Sequence, residues 1–333
     1  MTTRFVHGLS NFVRCDKQSR VVTVGTFDGI HVGHQEIFRR VRLACEQNGS
    51  EAVLVTFHPH PRVLVTPDDA PLLLTTIEEK ERFIPDYFDG TVLVLDFNEQ
   101  LMNLKPTDFV KDILVDRIGT GKLIVGYDHA IGKNRSGSIA QLRELGQKFG
   151  YDIEVCPPVL VAGSAVSSSR IRRCLLQERF GEAVRLLGHE YAICGPIEKG
   201  IGLGKKFGYP TANVGYNQRK LLPPAGVYTC CAEIRGDCHQ GVIFIGHNHF
   251  NPEKRVSVEV HLFNYDEDIY NRVITVYPLH YIRKNRRFQS PEALVRQIRK
   301  DEQKAIQILQ KEKTDGSDKG AEDSDRCCQS SSR

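Results

Sequence analysis

Val21-Val22-Thr23-Val24-Gly25-Thr26-Phe27-Asp28-Gly29-Ile30-His31-Val32-Gly33-His34 is the stretch on which the reading of this chain turns. Its first four residues, apolar and β-branched, suit a buried strand. Gly25 and Gly29 permit a sharp turn in which backbone N–H groups approach an anion closely. From Gly33 onward Ile37, Val41 and Ala44 recur at helical spacing until Asn48-Gly49 supplies a stop. His31 and His34 are three apart, so both rings sit on one face of the first turn, where unpaired N–H groups and the helix dipole already favour an anion. Strand, glycine turn and paired imidazoles at a helix start read as a site that handles a phosphate. With 12 histidines and 28 glycines in the chain, the four letters His-x-Gly-His alone are weak, and their context carries the reading.

The composition sets the outer bounds. At 333 residues the chain exceeds the usual size of one domain, and two are expected. A net charge of +4, from 45 basic and 41 acidic residues, argues against a dedicated nucleic-acid or membrane partner and leaves small anionic molecules. No opening segment joins a basic start to an apolar core, and no run approaches the roughly 20 apolar residues that span a bilayer, so a cytosolic protein is expected. The ten cysteines stand singly apart from Cys230-Cys231 and Cys327-Cys328, with no C-x-x-C pair. They read as reduced, mostly buried thiols and not as a metal site. The sequence sets no oligomeric state.

The texture changes once along the chain. From Val21 to about Leu187, strand-like runs (Ala52 to Phe57, Thr91 to Phe97, Leu123 to Tyr127, Ile153 to Cys156) alternate with helical segments (Ile77 to Tyr87, Thr107 to Arg117, Ser138 to Phe149). That alternation predicts an α/β domain with a parallel sheet wrapped by helices over residues 1–187. After Gly188 the helical spacers vanish. Runs at Val227 to Ile234, Val242 to Gly246, Val256 to Phe263 and Arg272 to Tyr277 predict a small antiparallel β-barrel over residues 188–310. It closes with a helix from Pro291 to about Leu309, striped by Leu294, Ile298, Ala305 and Ile308. Residues 311–333 are polar and charged and are expected to form a disordered tail.

A second anion signal lies downstream at Val166-Ser167-Ser168-Ser169-Arg170-Ile171-Arg172. Three hydroxyls at a helix start suit an N-cap. Two arginines there oppose the helix dipole by about 0.3–1 kcal/mol each, a penalty that a bound polyphosphate reverses.

With these motifs in view, the chain from about Val21 to Ala305 resembles the bacterial bifunctional riboflavin kinase/FMN adenylyltransferase family, also called FAD synthetase. The resemblance rests on four segments in order: Gly25 to His34, Thr56-Phe57-His58-Pro59-His60-Pro61, Val125-Gly126-Tyr127-Asp128, and the Ser-Ser-Ser-Arg-Ile-Arg run. It implies a Rossmann-like nucleotidyltransferase domain that moves AMP from ATP to FMN, giving FAD and pyrophosphate. The FMN phosphate is already anionic near neutral pH, so positioning and charge stabilisation suffice without a general base. By resemblance His31 and His34 stabilise the α-phosphate, and Ser167, Ser168, Ser169 and Arg170 hold the departing phosphates. Gly25, Thr26, Phe27, Gly126 and Asp128 border the nucleotide. Asp28 serves the metal or nucleotide, or caps the turn. Phe57, Pro59 and Pro61 line the flavin side, or are ordinary core and turn.

The second half carries Lys199-Gly200-Ile201-Gly202-Leu203-Gly204-Lys205-Lys206-Phe207-Gly208-Tyr209-Pro210-Thr211-Ala212-Asn213. This resembles the riboflavin kinase motif. It implies a loop, with Gly200, Gly204 and Lys205, over the ATP phosphates, and Thr211 and Asn213 oxygens facing Mg²⁺, a cation that prefers such ligands. A neutral hydroxyl must lose its proton in this reaction, so a carboxylate is needed nearby. Glu259 in the run Val256 to Leu262 matches the family's base; as a bare strand residue it would face solvent. Arg283 and Phe288 match positions beside the flavin or nucleotide. Thr26 stands where the family commonly has Asn, Asp128-His129-Ala130-Ile131-Gly132 replaces an aromatic-rich loop, Lys205 replaces Arg, and Phe244 to Phe250 departs from Asn-Ile-Gly-x-x-Pro-Thr.

Overall fold

In the computed structural model, residues 3–14, 17–132, 136–199, 208–247 and 256–317 are described. Six strands, β1 (Arg4–His7), β2 (Arg20–Val24), β3 (Ala52–His58), β4 (Thr91–Asp96), β5 (Thr120–Gly126) and β6 (Asp152–Cys156), form one sheet in the order β1-β4-β3-β2-β5-β6. Every neighbouring pair is parallel. Such sheets need cover on both faces, which is why their strands read as continuous apolar runs. Val22, Val24, Val53, Val55, Leu93, Leu95, Leu123 and Val125 share one buried cluster with Phe109, Leu114, Leu142 and Leu145. The alternate residues Val21, Leu54 and Ile124 are buried too, as are Phe38 and Val41 of the Val32–Asn48 helix. The chain reverses its direction of winding between β2 and β5, and in such sheets ligands gather at the carboxyl ends of the strands flanking that point.

The expected Thr107 to Arg117 helix differs in kind. A turn at Pro106–Asp108 runs into a π-helix, Phe109–Ile118, capped by Gly119 at φ 77°. Its buried residues Phe109, Ile113 and Leu114, and Ile118 recur every four to five positions. That spacing suits i→i+5 bonding, in which a wider turn keeps them all on the sheet. The strand β1 escaped the sequence reading because only Val6 of its four residues is fully buried.

The second half forms a closed antiparallel barrel, as expected. Its strands are β9 (Ile193–Glu198), β10 (Ala212–Val214), β11 (Gly226–Ile234), β12 (Asp237–His247), β13 (Val256–Leu262) and β14 (Val273–Arg283), in the order β10-β13-β12-β11-β14-β9. A small ribbon, β7 (Leu160–Val161) with β8 (Ser164–Ala165), precedes it in the chain. The closing helix, Pro291–Ser317, packs Ala305 and Ile308 with Val227 and Ile282. It continues beyond Lys311, where a disordered tail was expected to begin. Glu302, Lys304 and the other good helix formers that follow Asp301 carry it forward. Residues 318–333 lie outside the described residues.

By their internal contacts the described residues form two compact units. The first runs to Ile171 and includes Leu186–Gly188; the second comprises Arg172–Arg185 and the residues from His189 onward. One cysteine expectation needs correction. Cys231 and Cys238 form a disulfide, their Cα atoms 6.3 Å apart. The β11–β12 hairpin pairs Cys231 with Gln240 and Glu233 with Cys238, making the two cysteines diagonal neighbours, a register that spacing alone does not reveal. Cys45, Cys156, Cys174, Cys194 and Cys230 are thiols. No group of three or more His, Cys, Asp or Glu placed to hold a metal occurs among the described residues. No described helix is long and apolar enough to cross a membrane.

Candidate active sites

The turn after β2 is held in an unusual shape. Phe27 adopts φ 46°, Gly29 φ 90° and Ile30 φ 42°. The Phe27 ring folds back so closely that a Cβ on Gly25 would stand 3.0 Å from it. Left-handed backbone at two non-glycine residues persists only where the surroundings dictate it. Asp28 supplies much of that constraint. Its buried carboxylate accepts from the N–H groups of Leu74 at 3.0 Å and Thr75 at 2.9 Å, while Gly29 N–H donates to Thr75 Oγ1 at 2.9 Å. The Asp28 carboxylate acts as a clamp on the segment Leu74–Thr75, in keeping with the capping role that the sequence offered as one of two readings.

His31 is the N-cap residue of the Val32–Asn48 helix, which ends as expected on Gly49 at φ 62°. Its ring stacks on that of His34, with centroids 3.6 Å apart and planes 18° apart. Gly33 is what permits this, since a Cβ there would meet the His31 imidazole at 3.1 Å. His31 is buried and His34 half-buried. Burial, then the neighbouring His31 and Lys80, hold the His34 pKa well below its ordinary value. Two imidazoles this close do not both carry a proton readily.

Ser168 Oγ donates to the Asp28 carbonyl at 2.8 Å, bringing the second anion motif to the same turn. Ser167 Oγ accepts from Arg170 N–H at 3.2 Å, the N-cap role. Ser169 is exposed. The Arg170 guanidinium donates to the carbonyls of Val161 and Ser164 at 3.1 and 2.7 Å, in the β7–β8 ribbon. Those carbonyls offset part of the cationic charge at this helix start. Gly126 ends β5 beside β2, within reach of Ile37 on the first helix, and Asp128 follows it on the exposed turn. Phe57 packs edge-on against Phe97 at 5.8 Å and tilted on Phe109 at 6.5 Å, while Pro59 and Pro61 are half-buried just beyond. Thr26, by its carbonyl, accepts from Lys80 Nζ at 2.6 Å. Lys80 and Thr75 escaped the sequence reading. Their one sequence signal is the capping box Thr76-x-x-Glu79 that opens the Ile77–Phe83 helix.

In the barrel, Asn213 of β10 is paired with Glu259 of β13 on one side and Glu198 of β9 on the other. Residues directly opposed in an antiparallel ladder share a face, so the three oxygen-bearing side chains lie in one row. Val258, Val260 and Leu262 point to the buried core, and Glu259 on the other face is half-buried, not open to solvent. His261 Nδ1 makes a 2.8 Å hydrogen bond with the Pro210 carbonyl, tethering the segment that leads to Thr211 against β13. Glu198 was not singled out from sequence; only the register reveals it. Gly200, Gly204 and Lys205 lie outside the described residues, as do positions 248–250 of the altered loop.

Arg283 does not stand free beside a ligand. Its Nε and Nη2 donate to the Asp301 carboxylate at 2.9 and 2.6 Å, and Nη1 to the Lys284 carbonyl at 3.0 Å. The fork ties β14 to the closing helix. Phe288 is half-buried, with the Arg283 and Arg286 guanidinium carbons 5.8 and 5.1 Å from its ring centre.

Comparison with known proteins matches the two halves separately. The FAD synthetase family model covers residues 14–170, and the riboflavin kinase model residues 187–309. The chain is 36% identical over 302 residues to the bifunctional riboflavin kinase/FMN adenylyltransferase of Pseudomonas fluorescens, covering 90% of this chain and 95% of that one. The like-named protein of Buchnera aphidicola is 32% identical over 317 residues, covering 92% and 98%. A crystal structure described as a macrolide-efflux protein from Streptococcus pneumoniae shares the fold, with a TM-score of 0.76, 28% identity, and 90% of this chain and 97% of that chain covered. With a family model on each half and relatives matched along nearly their whole length, the chain belongs to the bifunctional riboflavin kinase/FMN adenylyltransferase family.

Proposed function

We propose that the barrel half phosphorylates riboflavin to FMN, that the sheet half then adenylylates FMN to FAD, and that the residues above divide between these two ATP-consuming steps. The observation that carries the division is that the stacked His31–His34 pair and the Asn213–Glu259 pair belong to different compact units.

In the kinase step Glu259 takes the proton from the riboflavin hydroxyl as its oxygen attacks the γ-phosphorus of ATP, and ADP leaves. Asn213, with Glu198 opposite it and Thr211 two residues earlier in the chain, supplies hard oxygen donors that fit Mg²⁺ and would hold it. When bound, Mg²⁺ neutralises phosphate charge. In the transferase step an oxygen of the FMN phosphate attacks the α-phosphorus of a second ATP, and pyrophosphate leaves. His31 and His34 donate to the α-phosphate oxygens as negative charge gathers there. The N–H groups at the helix start, with Ser167, Ser169 and Arg170, receive the departing phosphates. Gly25, Thr26 and Phe27 shape the nucleotide side of the sheet half and Phe57, Pro59 and Pro61 its flavin side, while Phe288 borders the flavin of the barrel half.

Labelled ATP tests this directly. Label on the γ-phosphate is expected in FMN when riboflavin is the acceptor, and label on the α-phosphate in FAD when FMN is supplied. γ-Label absent from FMN, or α-label absent from FAD, would remove the corresponding half of the reading.

A further inference from the structure

Lys80 is 5% exposed, on the buried side of the Ile77–Phe83 helix. An ammonium is rarely buried so fully, because it gives up hydration that an apolar interior does not replace. Its Nζ donates to the Thr26 carbonyl at 2.6 Å, an oxygen that Thr56 Oγ1 also reaches at 3.3 Å. Burial holds the Lys80 pKa below its ordinary value, and Asp28, within electrostatic reach, offsets part of that by favouring the charged form.

The position is built by the local sequence. Thr76 and Glu79 close a capping box at the start of the helix, and Lys80 follows Glu79 directly. Immediately before the cap, Leu74 and Thr75 donate to Asp28. One short segment therefore grips the turn after β2 at two points: Asp28 through backbone N–H groups, and Thr26 through the Lys80 ammonium. Phe27, at φ 46°, lies between the two anchors, and Ile30, at φ 42°, follows them directly before His31.

We propose that Lys80 is a positioning residue for adenylyl transfer, one that fixes the Thr26 carbonyl and so holds the turn that presents His31 and His34 to the nucleotide. This rests on reading Gly25 to His34 as the adenylyl-transfer site. The Lys80 charge acts as well as its hydrogen bond. Among the described residues, the titratable groups that lower the His34 pKa are His31, ahead of the same helix, and Lys80, on the Ile77–Phe83 helix. A neutral imidazole donates its N–H to a phosphate oxygen and can still take up charge as that oxygen becomes more negative.

The test compares Lys80→Met, Lys80→Arg and Thr76→Ala in the full chain. FAD formation from FMN and ATP, FMN formation from riboflavin, and thermal melting are measured from pH 5.5 to 8.5. Lys80→Met is expected to lower kcat/KM for FAD formation by about 10- to 100-fold, since small displacements of positioning groups cost on that scale. FMN formation stays within about twofold. The acid limb of the FAD-forming profile moves to higher pH, because removing a nearby cation raises the His34 pKa. Lys80→Arg lowers the rate but leaves the limb in place. Thr76→Ala weakens the same helix without touching the turn, so it lowers the melting temperature and leaves the limb unmoved. A Lys80→Met enzyme with native FAD formation and an unmoved limb would overturn the proposal, and so would a Thr76→Ala enzyme that reproduced the shift. His31→Ala run alongside separates the two levels: if it too forms FAD normally, the reading of the site falls, and if it does not, only the role of Lys80 is lost.

Discussion

The imidazole of His34 lies flat against that of His31, 3.6 Å between ring centres, at the start of the helix that leaves β2. Burial first, and the neighbouring His31 and Lys80 after it, make His34 sensitive to acid. The folded state holds the His34 pKa well below 6.5, so as pH falls the unfolded chain takes up the proton first. The stability this group contributes is complete above about pH 6.5 and declines as pH drops toward the folded value, at up to about 1.4 kcal/mol per pH unit. Thermal melts between pH 7.5 and 5 are expected to show the sheet half losing stability over that window, and His34→Gln to flatten the dependence. An identical pH dependence in His34→Gln would show that other groups govern it.

Asp28 is predicted to matter through the fold of its turn. Asp28→Ala strands the buried N–H groups of Leu74 and Thr75, each costing about 1–3 kcal/mol when left unpaired. Denaturant unfolding is expected to show that loss, with FAD formation reduced and FMN formation retained. Full stability in Asp28→Ala would contradict the clamp.

The Arg283–Asp301 fork gives a third prediction. Its side chains are 19% and 6% exposed, so removing one partner leaves a nearly buried charge and costs about 3–5 kcal/mol. Arg283→Met should lower the melting temperature sharply, and Arg283→Met with Asp301→Leu should recover most of the loss. Riboflavin phosphorylation is expected to recover with it. Stability that returned without kinase activity would instead mean that Arg283 touches substrate.

Glu259→Gln should slow FMN formation by about 100- to 10,000-fold, the range typical of a lost general base, with the barrel still folded. FAD formation from supplied FMN should be unchanged. Steady-state rates for each step, measured separately, check both halves of that statement.

What the sequence disclosed depended on how local the cause was. The run Val21 to Val24 and the stop at Asn48-Gly49 are short-range signals, and both elements formed where they were read. The stacking of His31 on His34 follows from their spacing and from the glycine between them. Lys80, Thr75 and Glu198 were invisible because their importance comes from what lies opposite in space. A lysine in Glu79-Lys80-Glu81 looks like an ordinary surface charge until the helix is placed against Thr26. The Cys231–Cys238 bond needed the hairpin register, and the inward role of Asp28 needed the N–H groups of a segment 46 residues away. The Arg283–Asp301 fork was invisible for the same reason, since Asp301 lies on the closing helix, 18 residues further along the chain.

The central claim is that two separate sites act in sequence, and the most direct measurement follows flavins by chromatography while the protein works on riboflavin, Mg²⁺ and ATP. In the native chain FMN is expected first and FAD after it. His31→Ala should accumulate FMN without FAD, and Glu259→Gln should yield neither from riboflavin yet make FAD when FMN is supplied. Loss of both activities on either single substitution, in protein that melts like the native chain, would contradict the two-site account.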